Sequence, residues 1–325
     1  MMQKIRIGIV GYGNLGKGAE LAVKHNPDME LVAVFSRRHL TETNSGVPAV
    51  FLADVANYRE KVDVMLLCGG SATDLVEQGP QLAALFNTVD SFDTHAKIPG
   101  YFATMDQVAK EAGTVATISV GWDPGLFSLN RLLAGAVLPQ GTDYTFWGKG
   151  VSQGHSDALR HVPGVKEAKQ YTIPREAIVS AVRSGQNPAS SSAESHIRDC
   201  YVVAQPGADL AAIETKIKTM PHYFAGYETH VTFLSEEEFQ ANHTGIPHGG
   251  VVLRSGKTSP AVGHVIEFGL KLDSNPEFTS SVLVAYARAT YRLAQHKFTG
   301  ACTVFDIPFA WLSPKSGEEL RRELL

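Results

Sequence analysis

The chain has 325 residues, 44% of them hydrophobic, with 33 acidic and 29 basic side chains for a formal net charge of −4. That length supports one large or two medium domains with real cores, the hydrophobic share excludes a disordered chain, and the acidic balance argues against a nucleic-acid partner. Three scattered cysteines (Cys68, Cys200, Cys302) supply neither a disulfide framework nor zinc spacing, and no apolar run reaches the ~18 residues of a membrane helix. A cytoplasmic location is therefore expected, with no membrane partner and no metal.

In chain order, residues 5–10 (IRIGIV) predict a first strand. Residues 14–25 (NLGKGAELAVKH) predict a helix, with Leu15, Ala19, Leu21 and Ala22 at helical spacing. Residues 31–35 (LVAVF), 62–68 (VDVMLLC), 88–92 (TVDSF) and 114–120 (TVATISV) predict further strands, with helices over 72–86 and 100–112 between them. Continuous apolar strands alternating with helices imply a parallel sheet covered on both faces.

Beyond residue 121 glycine and proline become frequent (GWDPG, FWGKGVSQGHSDALRHVPGV, GIPHGG), and strand-like CYVVAQ and THVTFL follow a serine-rich turn over 183–195. The expected organisation is a dinucleotide-type domain over 1–120 and an α+β region over 121–274. Residues 278–295 predict a long buried helix, which either closes the second region or packs back on the first; the segment 275–325 is assigned to the first domain.

The loop after the first strand, GYGNLG, places Gly11, Gly13 and Gly16 in G-x-G-x-x-G spacing. These glycines permit a tight turn, close approach of a pyrophosphate and close helix–strand packing, and the helix start offers unpaired N–H groups. The fold class is therefore α/β, a Rossmann-type doubly wound parallel sheet plus the second region. About 20 residues on, where an NAD site has an acid, the chain reads Phe35-Ser36-Arg37-Arg38. This is either a solvated basic turn or a clamp for the 2′-phosphate of NADP(H). LLCGGSATD ends the third strand at the ligand edge, and the same residues also suit a helix start with Ser71 or Thr73 as N-cap.

Asp93 (SFDTH) and Asp123 (GWDPG) follow strand-like runs at that edge. Each is either a turn or helix cap, with Pro124 as helix-start chemistry, or a carboxylate facing a ligand. Arg198 leads into a strand, His248 sits in a glycine-rich turn, and His155 and His161 lack metal-ligand spacing.

Taken together, IVGYGNLG, FSRR, GSATD, GWDPGLFSLNR, TFWGKGVSQGHSDALRHVPGV, TMPHYFAGYE, HTGIPHGG and LKLDSNPEFT resemble, in order and over essentially the whole chain, the NADP-dependent meso-diaminopimelate dehydrogenase family. The resemblance implies a homodimer and reversible oxidation of the D-centre of meso-2,6-diaminopimelate to L-2-amino-6-oxopimelate, which cyclises to tetrahydrodipicolinate, with release of ammonia. It places substrate contacts at Asp93, Asp123, Trp147, Gln153, Gly154, Thr172, Arg198, His248 and Asn275, the first two beside the reacting amine. It places NADP(H) against Gly11, Tyr12, Gly13, Asn14 and Leu15, then Ser36, Arg37 and Arg38. Further cofactor contacts fall on Cys68, Gly69, Gly70, Ser71, Thr73 and Asp93, and on Gly121, Trp122, Asp123, Pro124 and Gly125. Another two-domain NADP oxidoreductase, or a non-catalytic NADPH sensor, leaves this set of stretches without a purpose.

Overall fold

The computed structural model describes residues 4–40 and 42–325. Its first strands and helices are β1 (Ile5–Val10), α1 (Asn14–Lys24), β2 (Met29–Ser36), β3 (Ala49–Phe51), β4 (Val64–Leu67), α2 (Leu75–Ala83), β5 (Asn87–Asp90), α3 (Ile98–Ala112), β6 (Val115–Thr117) and α4 (Leu126–Val137). Side chains alternate between two cores along the central strands. Ile7, Ile9, Val34, Val64 and Leu66 face one side; Val10, Ala33, Phe35, Met65 and Leu67 face the other. Residues buried on both faces are what a covered parallel strand requires. α1 covers the first side through Ala19, Ala22 and Val23, while α2 and α3 cover the second through Leu82, Ala83, Tyr101 and Met105.

The middle of the chain forms its own unit, Asn130–Asn275. It carries β7 (Gly141–Trp147), β8 (Gly150–Val151), α5 (Gln153–Arg160), β9 (Val165–Pro174), α6 (Glu176–Arg183), α7 (Ser192–Ser195) and β10 (His196–Ala204). There follow α8 (Leu210–Lys218), β11 (Glu228–Phe233), α9 (Glu236–Asn242), β12 (His248–Ser259) and β13 (Val262–Leu272). One sheet runs β11-β10-β9-β8 and the other β13-β12-β7. α5 and α8 pack on the first through Leu159, Ile213 and Ile217; α6 packs on the second through Val179 and Val182. The serine-rich turn contains α7, started by a capping box between Ser191 and Glu194.

The chain then returns through α10 (Asn275–Gln295), β14 (Gly300–Cys302) and α11 (Gly317–Leu324). Pro276–Leu325 joins the described part of Met1–Leu129 in the other unit. The seven-stranded sheet runs β14-β6-β5-β4-β1-β2-β3, all parallel. α10 packs on the α1 side of this sheet through Val282, Leu283 and Tyr286. Gly18 allows the close approach: a Cβ there would lie 2.7 Å from Ser280 Oγ, which donates to the Leu15 carbonyl at 2.7 Å. The buried Arg288, inside the helix, anchors it by reaching both Asp28 oxygens (2.6 and 2.7 Å), Asn26 and the Leu312 carbonyl. β3 and β14, three residues each, carry no periodicity of their own and are absent from the sequence expectation; β5 stops at Asp90, short of the 88–92 run.

Candidate functional site

The order of the parallel sheet reverses between β1 and β4, and ligands bind such sheets at the carboxyl ends beside that point. A cleft of about 430 Å³ lies there, lined by Gly11–Gly13, Ser36–Arg38, Cys68–Gly70 and Asp74. Gly11 has φ +91°, and a Cβ on Gly16 would stand 2.0 Å from the Gly11 carbonyl oxygen, so both positions demand glycine. A Cβ on Gly13 would meet nothing within 4 Å: this glycine faces open cleft. Gly13 caps α1 with no side-chain acceptor and no acid in the first turn, which leaves the helix N–H groups to a ligand anion. Asn14 and Leu15 open α1 outside the cleft lining, with Leu15 packed against the core.

Tyr12 anchors the far wall. Its hydroxyl bonds Glu20 Oε2 and accepts from the Asn44 N–H at 2.9 Å, while Glu20 Oε1 accepts from the Ser45 N–H at 2.6 Å. Burial opposes ionisation of Glu20, but these donors outweigh it and hold its pKa below the usual carboxylate value. The two arginines differ. Arg37 Nη2 donates to Asp74 Oδ1 at 2.5 Å, whereas no carboxylate among the described residues pairs with Arg38. Ser36 Oγ accepts from the Arg38 N–H at 3.0 Å. Asp74 Oδ2 accepts from the Gly70 N–H at 2.9 Å, so one acid shapes the glycine turn and neutralises Arg37.

Two helix-start expectations are corrected. Neither Ser71 nor Thr73 caps α2, whose N-cap is Asp74 without a side-chain cap bond. Ser71 Oγ instead accepts from the Asp93 N–H at 2.8 Å, a partner beyond local reach. Pro124 does not open α4, which begins at Leu126 after a turn in which the Leu126 N–H donates to the Gly121 carbonyl. That turn needs Gly125, where a Cβ would lie 1.9 Å from the Gly121 oxygen. Trp122 is buried edge-on against Phe127, with ring centroids 5.2 Å apart, while Asp123 is half-buried and Asp93 exposed.

In the middle unit, strand register assembles a second group. Arg198 on β10 lies directly opposite Thr172 on β9, and Thr172 is opposite Gly150 on β8. Arg198 Nη1 donates to Thr172 Oγ1 at 2.5 Å, and the same oxygen accepts from Gln170 Nε2 at 3.3 Å. With two bonds accepted, the hydroxyl proton is left to donate. Arg198 is 9% exposed; its Nε is buried with no partner among the described residues, and its guanidinium carbon lies 4.1 Å from the Tyr227 ring centre. Gly150 makes room for His248: a Cβ there would come within 2.6 Å of the imidazole. Gly148, at φ +111°, lets the end of β7 pass against the Thr172 carbonyl.

Trp147 is set by His196, whose ring lies 5.5 Å away. His196 Nε2 accepts from the Trp147 backbone N–H at 3.0 Å and Nδ1 lies 2.9 Å from the Ser192 carbonyl, which fixes a neutral ring with its proton on Nδ1. Burial holds its pKa below the ordinary value. Gln153 and the exposed Gly154 open α5 after Ser152, whose N–H donates to the Gln170 carbonyl at 3.1 Å. His155 Nδ1 is 2.7 Å from Ser152 Oγ; burial, and then the charge of Arg198, push its pKa down to about 4. The Asn275 N–H donates to the Ile246 carbonyl at 3.1 Å, two residues before His248. Gln170 and His196 carry no signal of their own in the sequence, because they sit in strands whose partners are fixed only by sheet register, and Tyr227 lies in the turn just before β11.

Among the described residues no group of three or more His, Cys, Asp or Glu is placed to hold a metal ion, and no helix is long and apolar enough to cross a membrane. Residues 121–274 match the family model described as the diaminopimelic acid dehydrogenase C-terminal domain. The chain is 62% identical over 326 residues to the meso-diaminopimelate D-dehydrogenase of Ureibacillus thermosphaericus, all of both chains being covered. It is 47% identical to the Corynebacterium glutamicum enzyme of the same name, over 98% of each chain. The structure matches the C. glutamicum DAP dehydrogenase in complex with DAP (TM-score 0.93, 46% identity, 100% of both chains). It also matches an engineered D-amino acid dehydrogenase bound to NADP+ (TM-score 0.88, 44% identity, 99% of this chain and 100% of that one).

Proposed function

The chain belongs to the meso-diaminopimelate D-dehydrogenase family, and from that premise we propose that it oxidatively deaminates the D-centre of meso-2,6-diaminopimelate with NADP+, reversibly. The observation that carries this reading on the substrate side is the buried Arg198–Thr172 pair, with a guanidinium Nε and a hydroxyl proton still to donate. A fixed planar cation beside a hydroxyl donor is built for a carboxylate.

The cleft at the switch point fits the cofactor. Gly11 and Gly13 leave room for the pyrophosphate, the α1 start supplies N–H groups, and Ser36 with Arg38 supplies donors for a 2′-phosphate where an NAD site has an acid. When bound, NADP+ accepts the hydride from the D-carbon. The chain's residues do the rest. Arg198, Thr172 and His248 hold the non-reacting amino-acid end, so that only the other centre is presented for oxidation. Asp93 and Asp123 balance the charge of the reacting ammonium and help it lose its proton; Trp147 shields the substrate from water, and Gln153, Gly154 and Asn275 add contacts to it. Water then adds at the oxidised carbon and ammonia leaves, giving L-2-amino-6-oxopimelate and its cyclised form, tetrahydrodipicolinate.

A homodimer is part of this reading. Leu132, Leu133 and Val137 on α4 are 55, 53 and 65% exposed, an apolar strip suited to a second copy of the chain. Three buried free thiols support a reducing, cytoplasmic compartment. Sedimentation tests the dimer. NADPH formation with the meso isomer, compared with the L,L and D,D isomers, tests the activity: a silent meso isomer would refute it.

A further inference from the structure

Asp90 ends β5 with no exposed surface, a costly place for a carboxylate unless its oxygens are fully used. They are used across three segments. Oδ1 accepts from the Phe92 N–H and the Ser119 N–H, both at 3.0 Å, and Oδ2 accepts from the Tyr101 hydroxyl on α3 at 2.8 Å. Its main-chain carbonyl accepts from the Val120 N–H at 2.8 Å. Asp93 follows three residues after Asp90, and Asp123 three after Val120. One buried acid therefore holds the roots of both loops that carry the reacting-end carboxylates.

Two further features belong to the same network. Ser119 is held at φ +57°, a conformation few non-glycine residues adopt, by the bond from its N–H to Asp90. On α2, Gly79 clears space for the Tyr101 hydroxyl, since a Cβ there would lie 2.2 Å from it. A glycine inside a helix weakens the helix; here it lets the phenol reach Asp90.

We propose that Asp90, supported by Tyr101, is a positioning residue that fixes the loops of Asp93 and Asp123 relative to each other. This rests on the functional reading above, in which those two aspartates act at the reacting amine.

The test compares wild type with Asp90→Ala, Asp90→Asn and Tyr101→Phe for meso-diaminopimelate oxidation, with NADPH affinity measured separately by fluorescence titration. Asp93→Asn and Asp123→Asn are assayed alongside. The expected result is a loss of about 100-fold in kcat/KM for Asp90→Ala, at least about tenfold larger than the loss of NADPH affinity that loosening the same loops causes. Asp90→Asn keeps the oxygen that accepts both N–H groups and is expected to recover at least about tenfold of that loss. An Asp90→Ala protein within about threefold of wild type, an equal loss of NADPH affinity, or an Asn variant no better than Ala overturns the proposal. Should Asp90→Ala not fold, Tyr101→Phe decides: a kcat/KM loss above about threefold at unchanged NADPH affinity supports the role, and a smaller one overturns it. Wild-type rates in both Asp93→Asn and Asp123→Asn would instead remove the underlying site reading; inactive proteins there with an active Asp90→Ala would remove the positioning role alone.

Discussion

Arg198 and Thr172 are joined across the antiparallel pair β9–β10, the guanidinium Nη1 donating to the hydroxyl at 2.5 Å with Arg198 Nε left unused. Charge-assisted bonds of this kind contribute about 1.5–3 kcal/mol each, and two to one carboxylate give about 100-fold or more in binding. Arg198→Met is therefore expected to lose about that much in kcat/KM for meso-diaminopimelate, mostly through KM, while NADPH affinity stays at the wild-type value. Thr172→Val removes one donor and keeps the shape, so a loss of about tenfold is expected. Steady-state kinetics with a separate cofactor titration measures both; an Arg198→Met enzyme with wild-type KM would refute the assignment.

The cleft of the parallel sheet and the Arg198 group differ in how far sequence reveals them. The cleft was legible because one local unit, strand–GYGNLG–helix, carries its chemistry, and continuous apolar strands have few other uses. In the middle unit Trp147, Thr172, Arg198 and His248 come from four strands of two sheets; register sets Thr172 opposite Arg198, and contacts between the sheets set His248 against Gly150 and Trp147 against His196. No period or spacing encodes that, and the long matching stretches of the family did what pattern could not. Asp74 and Asp90 were passed over for a related reason. Asp74 falls in the predicted helix over 72–86 and Asp90 in the predicted strand over 88–92, and neither stands out until its distant partners, Arg37 for one and Ser119 and Tyr101 for the other, are in place.

The Arg37–Asp74 pair separates the roles of adjacent arginines. Arg37 is already paired with a carboxylate, whereas Arg38 lines the cleft with no carboxylate partner among the described residues. Arg38→Ala is expected to lower the preference for NADP+ over NAD+ by about 100-fold and Arg37→Ala by about tenfold. The ratio of kcat/KM for the two cofactors measures this. Unchanged preference in both variants would show that the basic turn is merely solvated.

Two glycines of the fingerprint should fail differently. A methyl on Gly16 collides with the Gly11 carbonyl at 2.0 Å, so Gly16→Ala must push α1 off the sheet and lose both stability and cofactor. A methyl on Gly13 meets no protein atom within 4 Å. Gly13→Ala is expected to keep stability within about 1 kcal/mol, as for a change at a helix N-cap, while weakening NADP+ by more than about tenfold. Thermal unfolding with and without NADP+ distinguishes them. A Gly13→Ala protein stabilised by NADP+ as strongly as wild type would refute the pyrophosphate path.

The pH dependence of stability contains two opposed contributions in the same window. His155 titrates at about 4 in the folded chain against an ordinary 6.5, because burial and then Arg198 disfavour its charge. Between those values the unfolded chain binds the extra proton, so this contribution is present above pH 6.5 and lost as pH falls to 4. Asp90 titrates at about 6 against an ordinary 3.8, because burial outweighs its three hydrogen bonds. There the folded chain binds the extra proton, so the contribution is present below pH 3.8 and lost as pH rises through 6. At 1.36 kcal/mol per pKa unit each amounts to about 3 kcal/mol, of opposite sign. Asp90→Asn mimics the protonated acid and removes one slope: relative to wild type it should gain stability from pH 4 to pH 6.5 and hold the gain above. His155→Phe removes the other, and its stability relative to wild type should rise as pH falls over the same range. Thermal melts of the three proteins from pH 4 to pH 8 measure both differences; pH-independent offsets in both variants would show that neither group titrates as its surroundings dictate.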